Sequence, residues 1–379
     1  MGKVGSIVDQ NMPLRVLQIV TQMGRGGLET MLMNYDRYID HNVVQFDFLE
    51  HWQSVTDYDP EIAQLGGSVY RLPRLNPFDK RYLRELDHFF KTHPEYQIVH
   101  AHMDCLSGVP LKYAKKNGVQ VRIAHAHSTG EIKNLKYPLK MMLKRNVTRY
   151  ASDCLACGSE AGQWMFGGRQ FSILNNAIDA EQYAFNSQIR SEVREELGIG
   201  SDVLVVGHVG SFGFPKNHTF LVDVFYELLK SRQNSKLLLV GEGSLKKEIQ
   251  NKCEAIGIQE NVVFAGRRND VNRLLQAMDV FVFPSHYEGI SLSSIEAQAS
   301  GLPCIFSESI SPECIITEGL VSRMSLQKPA DAWANQVIAV SGKKHTDTLM
   351  QIKKHGFDVK ENAAWLQKFY LDKWKNICK

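Results

Sequence analysis

The chain has 379 residues, enough for two or three domains with sizeable cores. Hydrophobic residues make up 44% and charged residues 22%, as in a soluble globular protein, and a formal net charge of +3 is too small to imply a nucleic-acid partner. No apolar run approaches the ~20 residues that span a bilayer, and the residues before Pro13 lack the apolar core of a secretory signal. Gly2 and Ser6 match the letters of a myristoylation site, a short and common pattern. The seven cysteines are odd in number and scattered. Most sit in apolar strings, as buried reduced thiols do. Cys154 and Cys157 form a lone Cys-x-x-Cys with no second pair, so neither zinc nor redox chemistry is implied, and a reducing, cytoplasmic compartment fits.

Leu14–Val20 predicts an apolar strand, followed by a glycine loop with Gly24, Gly26 and Gly27 and by a helix over Glu29–Tyr38. Gly26 and Gly27 let a backbone approach a ligand closely, although a tight strand–helix turn needs glycine too. The spacing is not Gly-x-Gly-x-x-Gly, which speaks against a dinucleotide cofactor. Strands are predicted at Val43–Leu49 and Gly67–Arg71 with a loop between, then a helix near Asp79–Lys91. The strands Gln97–His102 and Val121–Ser128 each end in a histidine pair, with a helix over Cys105–Lys116 between them. Asp104 is the one carboxylate nearby, so ligand spacing for a metal is missing. Glu131–Arg149 is basic and amphipathic. It carries Lys133, Lys136, Lys140, Lys144, Arg145 and Arg149 among Ile132, Leu135, Leu139, Met141, Met142 and Leu143. Such a helix can lie on an anionic membrane or be an ordinary helix with a solvated cationic face. A strand at Asp153–Cys157 and a helix at Ser159–Phe166 follow, and the polar stretch from Asn186 to Gly200 reads as helix plus linker.

The second half repeats the alternation. Strands are predicted at Leu204–Val209, Lys236–Val240 and Asn261–Phe264, and helices at His218–Ser231, Ser244–Ile256 and Asp270–Met278. Val280–Phe283, β-branched and aromatic, predicts a buried strand. Pro284 and Ser285 end it, residues 286–289 form a loop, and a helix is predicted over Ser291–Ser300 with Leu292, Ile295 and Ala299 inward. Gly301 and Pro303 stop that helix by a left-handed cap and a missing N–H, and Pro303–Phe306 returns as a strand. Later helices are predicted at Asp331–Ser341 and Asn362–Cys378. Parallel sheets bind ligands outside the carboxyl ends of their strands. The N–H groups of Ile290, Ser291 and Leu292 at the helix start make an anion site suited to phosphate. Glu288 lies ahead of the helix, and Glu296 lies more than a turn inside it, where a carboxylate can accept two hydroxyl hydrogen bonds. A phosphate site flanked by hydroxyl-binding carboxylates describes a nucleotide sugar. Taken singly, Glu288 also reads as a charge favouring the helix dipole, and Glu296 as a solvated helix residue.

Glu288 and Glu296 are separated by seven residues, with Gly289 after the first and Glu296-Ala297 ahead of Gly301-Leu302-Pro303. Together these resemble the signature of the family-4 retaining glycosyltransferases, above all the bacterial capsule and exopolysaccharide branch. The likeness extends from Leu14 to about Tyr370. It implies an α/β chain of the GT-B fold, two facing Rossmann-like domains with the active site in the cleft. Residues 12–185 would form the acceptor domain and residues 186–361 the donor domain, with the last helix, about 362–379, packing back on the first. The resemblance implies transfer of a hexosyl or N-acetylhexosaminyl group from a nucleotide diphosphate, UDP being commonest in the family. The acceptor would be a hydroxyl of a lipid-linked or saccharide molecule. Attack on the departing phosphate's face would retain the anomeric configuration.

The residues take their implied roles from the same likeness. Lys216 and the helix start at Ile290, Ser291 and Leu292 stabilise the leaving diphosphate. Glu296 holds the ribose and Glu288 contacts the donor sugar. His127 lies near that sugar, with His125 its alternate because both share a strand face. The loop with Gly26 and Gly27 faces the donor phosphates and the acceptor. Ser211 stands where the family has an arginine. A serine brings no charge, and losing a charged donor to phosphate costs about 1.5–3 kcal/mol. Arg25, Arg267 and Arg268 are the candidates to replace it. No cofactor is implied. No Asp-x-Asp motif lies at a strand end, so the reaction is expected to need no metal. The family's lipid-linked acceptors favour the membrane reading of Glu131–Arg149, at the inner face of the cell membrane. Three rivals share parts of this pattern: a nucleotide-sugar epimerase of similar fold, an NAD-dependent dehydrogenase, and a non-catalytic partner in a polysaccharide-assembly complex, which Ser211 would suit.

Overall fold

A computed structural model describes residues 12–130, 135 and 137–377. The myristoylation pattern at Gly2 and Ser6, the residues Glu131, Ile132, Lys133 and Lys136 of the basic segment, and Cys378 lie outside the described residues. The chain divides into two compact units. One comprises the chain up to Ala177 together with Val359 onward, and the other runs from Ile178 to Asp358.

The first unit holds seven strands: β1 (Leu14–Val20), β2 (Val44–Glu50), β3 (Val69–Arg71), β4 (Ile98–Ala101), β5 (Val121–Ala126), β6 (Asp153–Ala156) and β7 (Ser172–Ile173). Their order is β3-β2-β1-β4-β5-β6-β7, and neighbours are parallel. Helices α1 (Gly27–Asp36), α2 (Asp59–Gln64), α3 (Lys80–Thr92), α4 (Gly108–Lys116), α5 (Tyr137–Tyr150) and α6 (Ser159–Phe166) connect them. A strand buried on both faces reads as a continuous apolar run, and β2 is buried at all of its positions. The stretch expected as a loop between β2 and β3 contains α2, with Pro60 in its first turn, where a missing N–H costs nothing. The C-terminal helix, Val359–Ile377, belongs to this unit. Its Ala363, Leu366 and Tyr370 are buried, and Tyr370 meets Phe46 of β2 edge to face with ring centroids 6.0 Å apart.

The second unit has six parallel strands, β8 (Leu204–Val209), β9 (Ser235–Val240), β10 (Val262–Gly266), β11 (Val280–Phe283), β12 (Cys304–Ser307) and β13 (Val321–Met324), in the order β10-β9-β8-β11-β12-β13. Its helices are α7 (Ala180–Tyr183), α8 (Ser187–Glu196), α9 (His218–Ser231), α10 (Lys246–Ala255), α11 (Val271–Ala277), α12 (Leu292–Ala299), α13 (Ala330–Ser341) and α14 (Leu349–Lys354). The sequence reading had no β13 and no α14. The stretch read as helix plus linker, from Asn186, packs into this unit. Arg190 and Arg194 of α8 both pair with Asp279, and Gln276 donates to the Tyr183 carbonyl at 3.1 Å. The boundary therefore precedes α7, not residue 186.

In each sheet the strand order reverses beside the first strand of its unit, at β1/β4 and at β8/β11. Loops leaving the carboxyl ends of those two strands run to opposite sides and open a crevice between them. Helix α12 follows β11 at that point, and all eight of its residues are buried, not only its inward stripe. The segment 345–348 covers its end: His345 Nδ1 bonds the Ser300 carbonyl at 2.8 Å and Thr348 donates to the Gln298 carbonyl at 2.9 Å. Gly301 caps the helix at φ +67°, and a Cβ there would press on the backbone of Thr346. Gly301→Ala therefore costs about 2–3 kcal/mol and lowers the melting temperature. Gly342→Ala, at a position with φ −83° and open space, leaves it within error. Thermal unfolding of the two variants checks this, and equal effects would refute it.

Candidate functional site

The second unit's crevice is built from the loops after β8 and β11. After β8 the chain runs through Gly210 and Ser211 into a short turn, Phe214–Lys216, and then Asn217 at φ +55°. Asparagine tolerates that left-handed geometry, and here its side chain donates to the Pro284 carbonyl at 3.1 Å. The His286 N–H donates to the Pro215 carbonyl at 2.8 Å. These two bonds stitch the loops together and set Lys216 against Glu288. Their charged atoms are 2.8 Å apart and both side chains are mostly buried, at 14% and 16% exposure. The Lys216 ammonium also lies over the Phe283 ring, 4.6 Å from its centre. A lysine ammonium has three donors, so one carboxylate contact leaves it able to bind an oxyanion.

Glu296 is not a solvated helix residue. It is 7% exposed, its Oε1 accepts from the Tyr183 hydroxyl at 2.8 Å, and burial pushes its carboxyl up to about 7. Ser291 is the N-cap of α12, with extended backbone, and its hydroxyl pairs with that of Ser293 at 3.0 Å rather than with a backbone N–H. Ile290 and Leu292 flank it with buried side chains. Ser211 is exposed in its loop. Of the cations proposed in place of the missing arginine, Arg268 is held by Asp270 through two bonds of 2.7 and 2.6 Å. Arg267 is exposed, and Arg25, in the other unit, lies over the Tyr58 ring at 5.8 Å.

In the first unit Gly26 is the N-cap of α1 and Gly27 its first residue. A Cβ at Gly27 would meet nothing within 4 Å. The fold of this unit therefore does not demand glycine there. At the ends of β4 and β5, His100, His102, His125 and His127 form an array of imidazoles, with adjacent ring centres 4.1–5.3 Å apart. His100, His102 and His125 are buried, whereas His127 is partly exposed. Burial, compounded by neighbouring imidazoles, holds the first three well below the ordinary histidine range, and burial lowers His127 to about 4. Exposure thus separates His127 from His125, which strand register alone did not. Asp104, at φ +44°, accepts from the His127 N–H at 2.9 Å and the Ser128 hydroxyl at 2.7 Å, and so fixes the strand end. Nitrogens of His100, His102 and His125 lie within 4.8 Å of one another, close enough for a metal ion. Both His102 nitrogens are already in hydrogen bonds, to His127 and Gln18. Cys154 and Cys157 are buried thiols that form no disulfide with each other.

Sequence reasoning missed Tyr183, Gln18 and Tyr370. Each stands far along the chain from its partner, and no local motif marks it. The Tyr183–Glu296 bond spans 113 positions and the Gln18–Tyr370 bond 352.

Residues 203–342, most of the second unit, match the family model "Glycosyl transferases group 1". EpsF of Bacillus subtilis, itself named as a glycosyltransferase, is 35% identical over 370 residues, covering 94% of this chain and 96% of that protein. The capsular polysaccharide biosynthesis glycosyltransferase CapH of Staphylococcus aureus is 21% identical over 371 residues, covering 95% and 99%. Among solved structures, Alr3699/HepE of Anabaena in complex with UDP-glucose superposes with a TM-score of 0.78 at 18% identity, covering 94% and 99%. That likeness gives the fold, two parallel-sheet Rossmann-like units of the GT-B type. The chain belongs to the group 1 glycosyltransferases, with a relative in capsular polysaccharide synthesis.

Proposed function

We infer that this protein moves a sugar from a UDP-sugar to a hydroxyl of a saccharide or lipid-linked acceptor, with retained configuration, in polysaccharide synthesis. One observation carries the reading: Lys216 and Glu288 meet at the strand-order reversal of the second unit, at the mouth of α12. A cation and the start of a helix together suit a diphosphate, because both offer donors fixed in advance. As the bond to the sugar breaks, charge builds on the leaving phosphate, and donors already in place stabilise it without reorganising. The Lys216 ammonium supplies a positive charge there, so a divalent ion is not required. Glu288 tethers the ammonium and turns its other oxygen to the donor sugar. Glu296 accepts the two ribose hydroxyls, with Tyr183 holding one of its oxygens. Ser211 gives a hydroxyl to the diphosphate, and Arg267 stands close in chain to the loop after β10. The open space at Gly27 supports a close approach of substrate to the first unit, and His127 is the histidine that meets a sugar hydroxyl.

The acceptor side supports a surface location at the inner membrane face. Among the described residues no helix is long and apolar enough to cross a membrane. On α5, Leu143 and Val147 face the core while Met142, Arg145 and Arg149 are exposed, which leaves a cationic outer face. Replacing Arg145 and Arg149 together by glutamate should abolish co-sedimentation with anionic vesicles, and binding that persists unchanged would remove α5 from the membrane surface.

Lys216→Ala should lower transfer about 100- to 1000-fold. The thermal shift that UDP-glucose gives the wild type should be the same with and without chelator. A shift that chelator abolishes and manganese restores would refute the metal-free reading. Glu296 gives a pH dependence of definite sign. Its carboxyl is raised to about 7 by burial, and ribose hydroxyls bind the ionised form. At pH 6 roughly one molecule in ten is ionised, so the dissociation constant for UDP-glucose should be about tenfold larger than at pH 8. The diphosphate of UDP-glucose does not itself titrate in that window. Calorimetric titration across pH 6–8 measures this, and Glu296→Gln should flatten the profile. The same burial favours the protonated, folded state at low pH. Its contribution to stability is therefore lost as pH rises through 7, and Glu296→Gln should melt higher than wild type at pH 8 but not at pH 5.

A further inference from the structure

Two of the histidines at the ends of β4 and β5, His102 and His127, are joined to Gln18 of β1 by a chain of hydrogen bonds whose polarity follows atom by atom. Gln18 is fully buried, and its amide oxygen lies 2.9 Å from His102 Nε2. An amide oxygen only accepts, so His102 carries its proton on Nε2. Buried among other imidazoles, His102 stays neutral, and its Nδ1 keeps a lone pair. That Nδ1 lies 3.0 Å from His127 Nε2, so the N–H of His127 points inward and donates. His127 is neutral as well, which leaves its Nδ1 bare. At the other end the Gln18 amide nitrogen donates to the Tyr370 hydroxyl at 3.3 Å, and that hydroxyl lies 2.7 Å from His100 Nδ1.

We propose that Gln18 is a positioning residue: its amide, held by Tyr370 of the C-terminal helix, sets His102 and through it His127, so that His127 offers a bare Nδ1 to a substrate hydroxyl. Reversing the amide would reverse every link, and His127 Nδ1 would become a donor. One buried side chain therefore decides whether this strand end accepts a hydrogen bond or gives one. The ligand class that fits an accepting imidazole is a sugar hydroxyl, which brings its own proton. This inference rests on the reading of His127 as the histidine that meets the sugar.

The test is nitrogen NMR of the full chain carrying labelled histidine, with the His127 signals assigned by their loss in His127→Asn. The wild type should show an unprotonated Nδ1 and a protonated Nε2. Gln18→Glu keeps an acceptor against His102 and should preserve that pattern and most of the transfer rate. Gln18→Met has similar length and no polar group. It should give a mixture of His127 tautomers and lower transfer about tenfold. Tyr370→Phe, which frees the amide but keeps the helix packing, should shift the tautomers in the same direction and serves if Gln18→Met does not fold. A protonated Nδ1 in the wild type, or His127 signals unchanged by both Gln18→Met and Tyr370→Phe, overturns the proposal. The tautomer signals need no substrate. If they respond as expected but His127→Asn transfers sugar at the full rate, the relay stands and the sugar-facing reading of His127 falls.

Discussion

The contact between Lys216 and Glu288 depends on a reversal of strand order. Because β9 lies on one side of β8 and β11 on the other, the loops leaving β8 and β11 are brought face to face at the carboxyl end of the sheet, in its middle. Two residues 72 positions apart in sequence then meet at 2.8 Å. A pair so little exposed is costly to desolvate, and such pairs contribute little net stability. Its persistence is better understood as placement. Asn217 in a left-handed turn and the Pro215–His286 backbone bond hold the two loops in a fixed relation, and the ammonium is thereby held in one place against Glu288.

The two units handle charge in opposite ways. In the second unit the crevice keeps an ion pair and a carboxyl whose proton is loosely held near neutrality. In the first unit the crevice edge is made of neutral imidazoles, their protons expelled by burial and mutual repulsion. The division suits a reaction in which charge develops on one partner only. A diphosphate that gains negative charge as it leaves calls for cations and fixed dipoles. A hydroxyl that must be oriented calls for acceptors that are not already charged. A positive histidine at the strand end would bind anions instead, and the desolvation that lowers its affinity for protons also removes that competition.

Much of this was legible in the sequence. The run from Val280 to Phe306 gave a strand, loop, helix and strand close to where they lie, because apolar runs bounded by glycine and proline depend on local preference. The spacing of Glu288 and Glu296 points to the candidate site for the same reason: it is fixed within one loop and one helix. What was illegible lies in long-range pairing. Nothing near Tyr183 announces that it will hold Glu296, and the polar stretch after Asn186 looked like a linker because its partners, Asp279 and Gln276, are some 90 positions away. The pairing of Lys216 with Glu288 was hidden too, since each was given a separate ligand. The short elements β13 and α14 escaped because four and six residues carry too little periodicity to read.

The histidine pairs show where such reading runs out and what resolves it. Alternate positions on a strand share a face, so His125 and His127 could not be told apart by register. Burial tells them apart, because only the outer histidine keeps access to solvent. His102 is then not a spare copy of the outer one. An imidazole has one donor and one acceptor when neutral, so His102, bonded to Gln18 on one side and to His127 on the other, passes the polarity of the amide outward. It converts a buried amide into a defined lone pair at the surface. A serine or threonine in the same place would rotate its proton to suit any partner. A histidine anchored from behind cannot: its polarity is set by a buried amide, which a helix from the far end of the sequence holds in place.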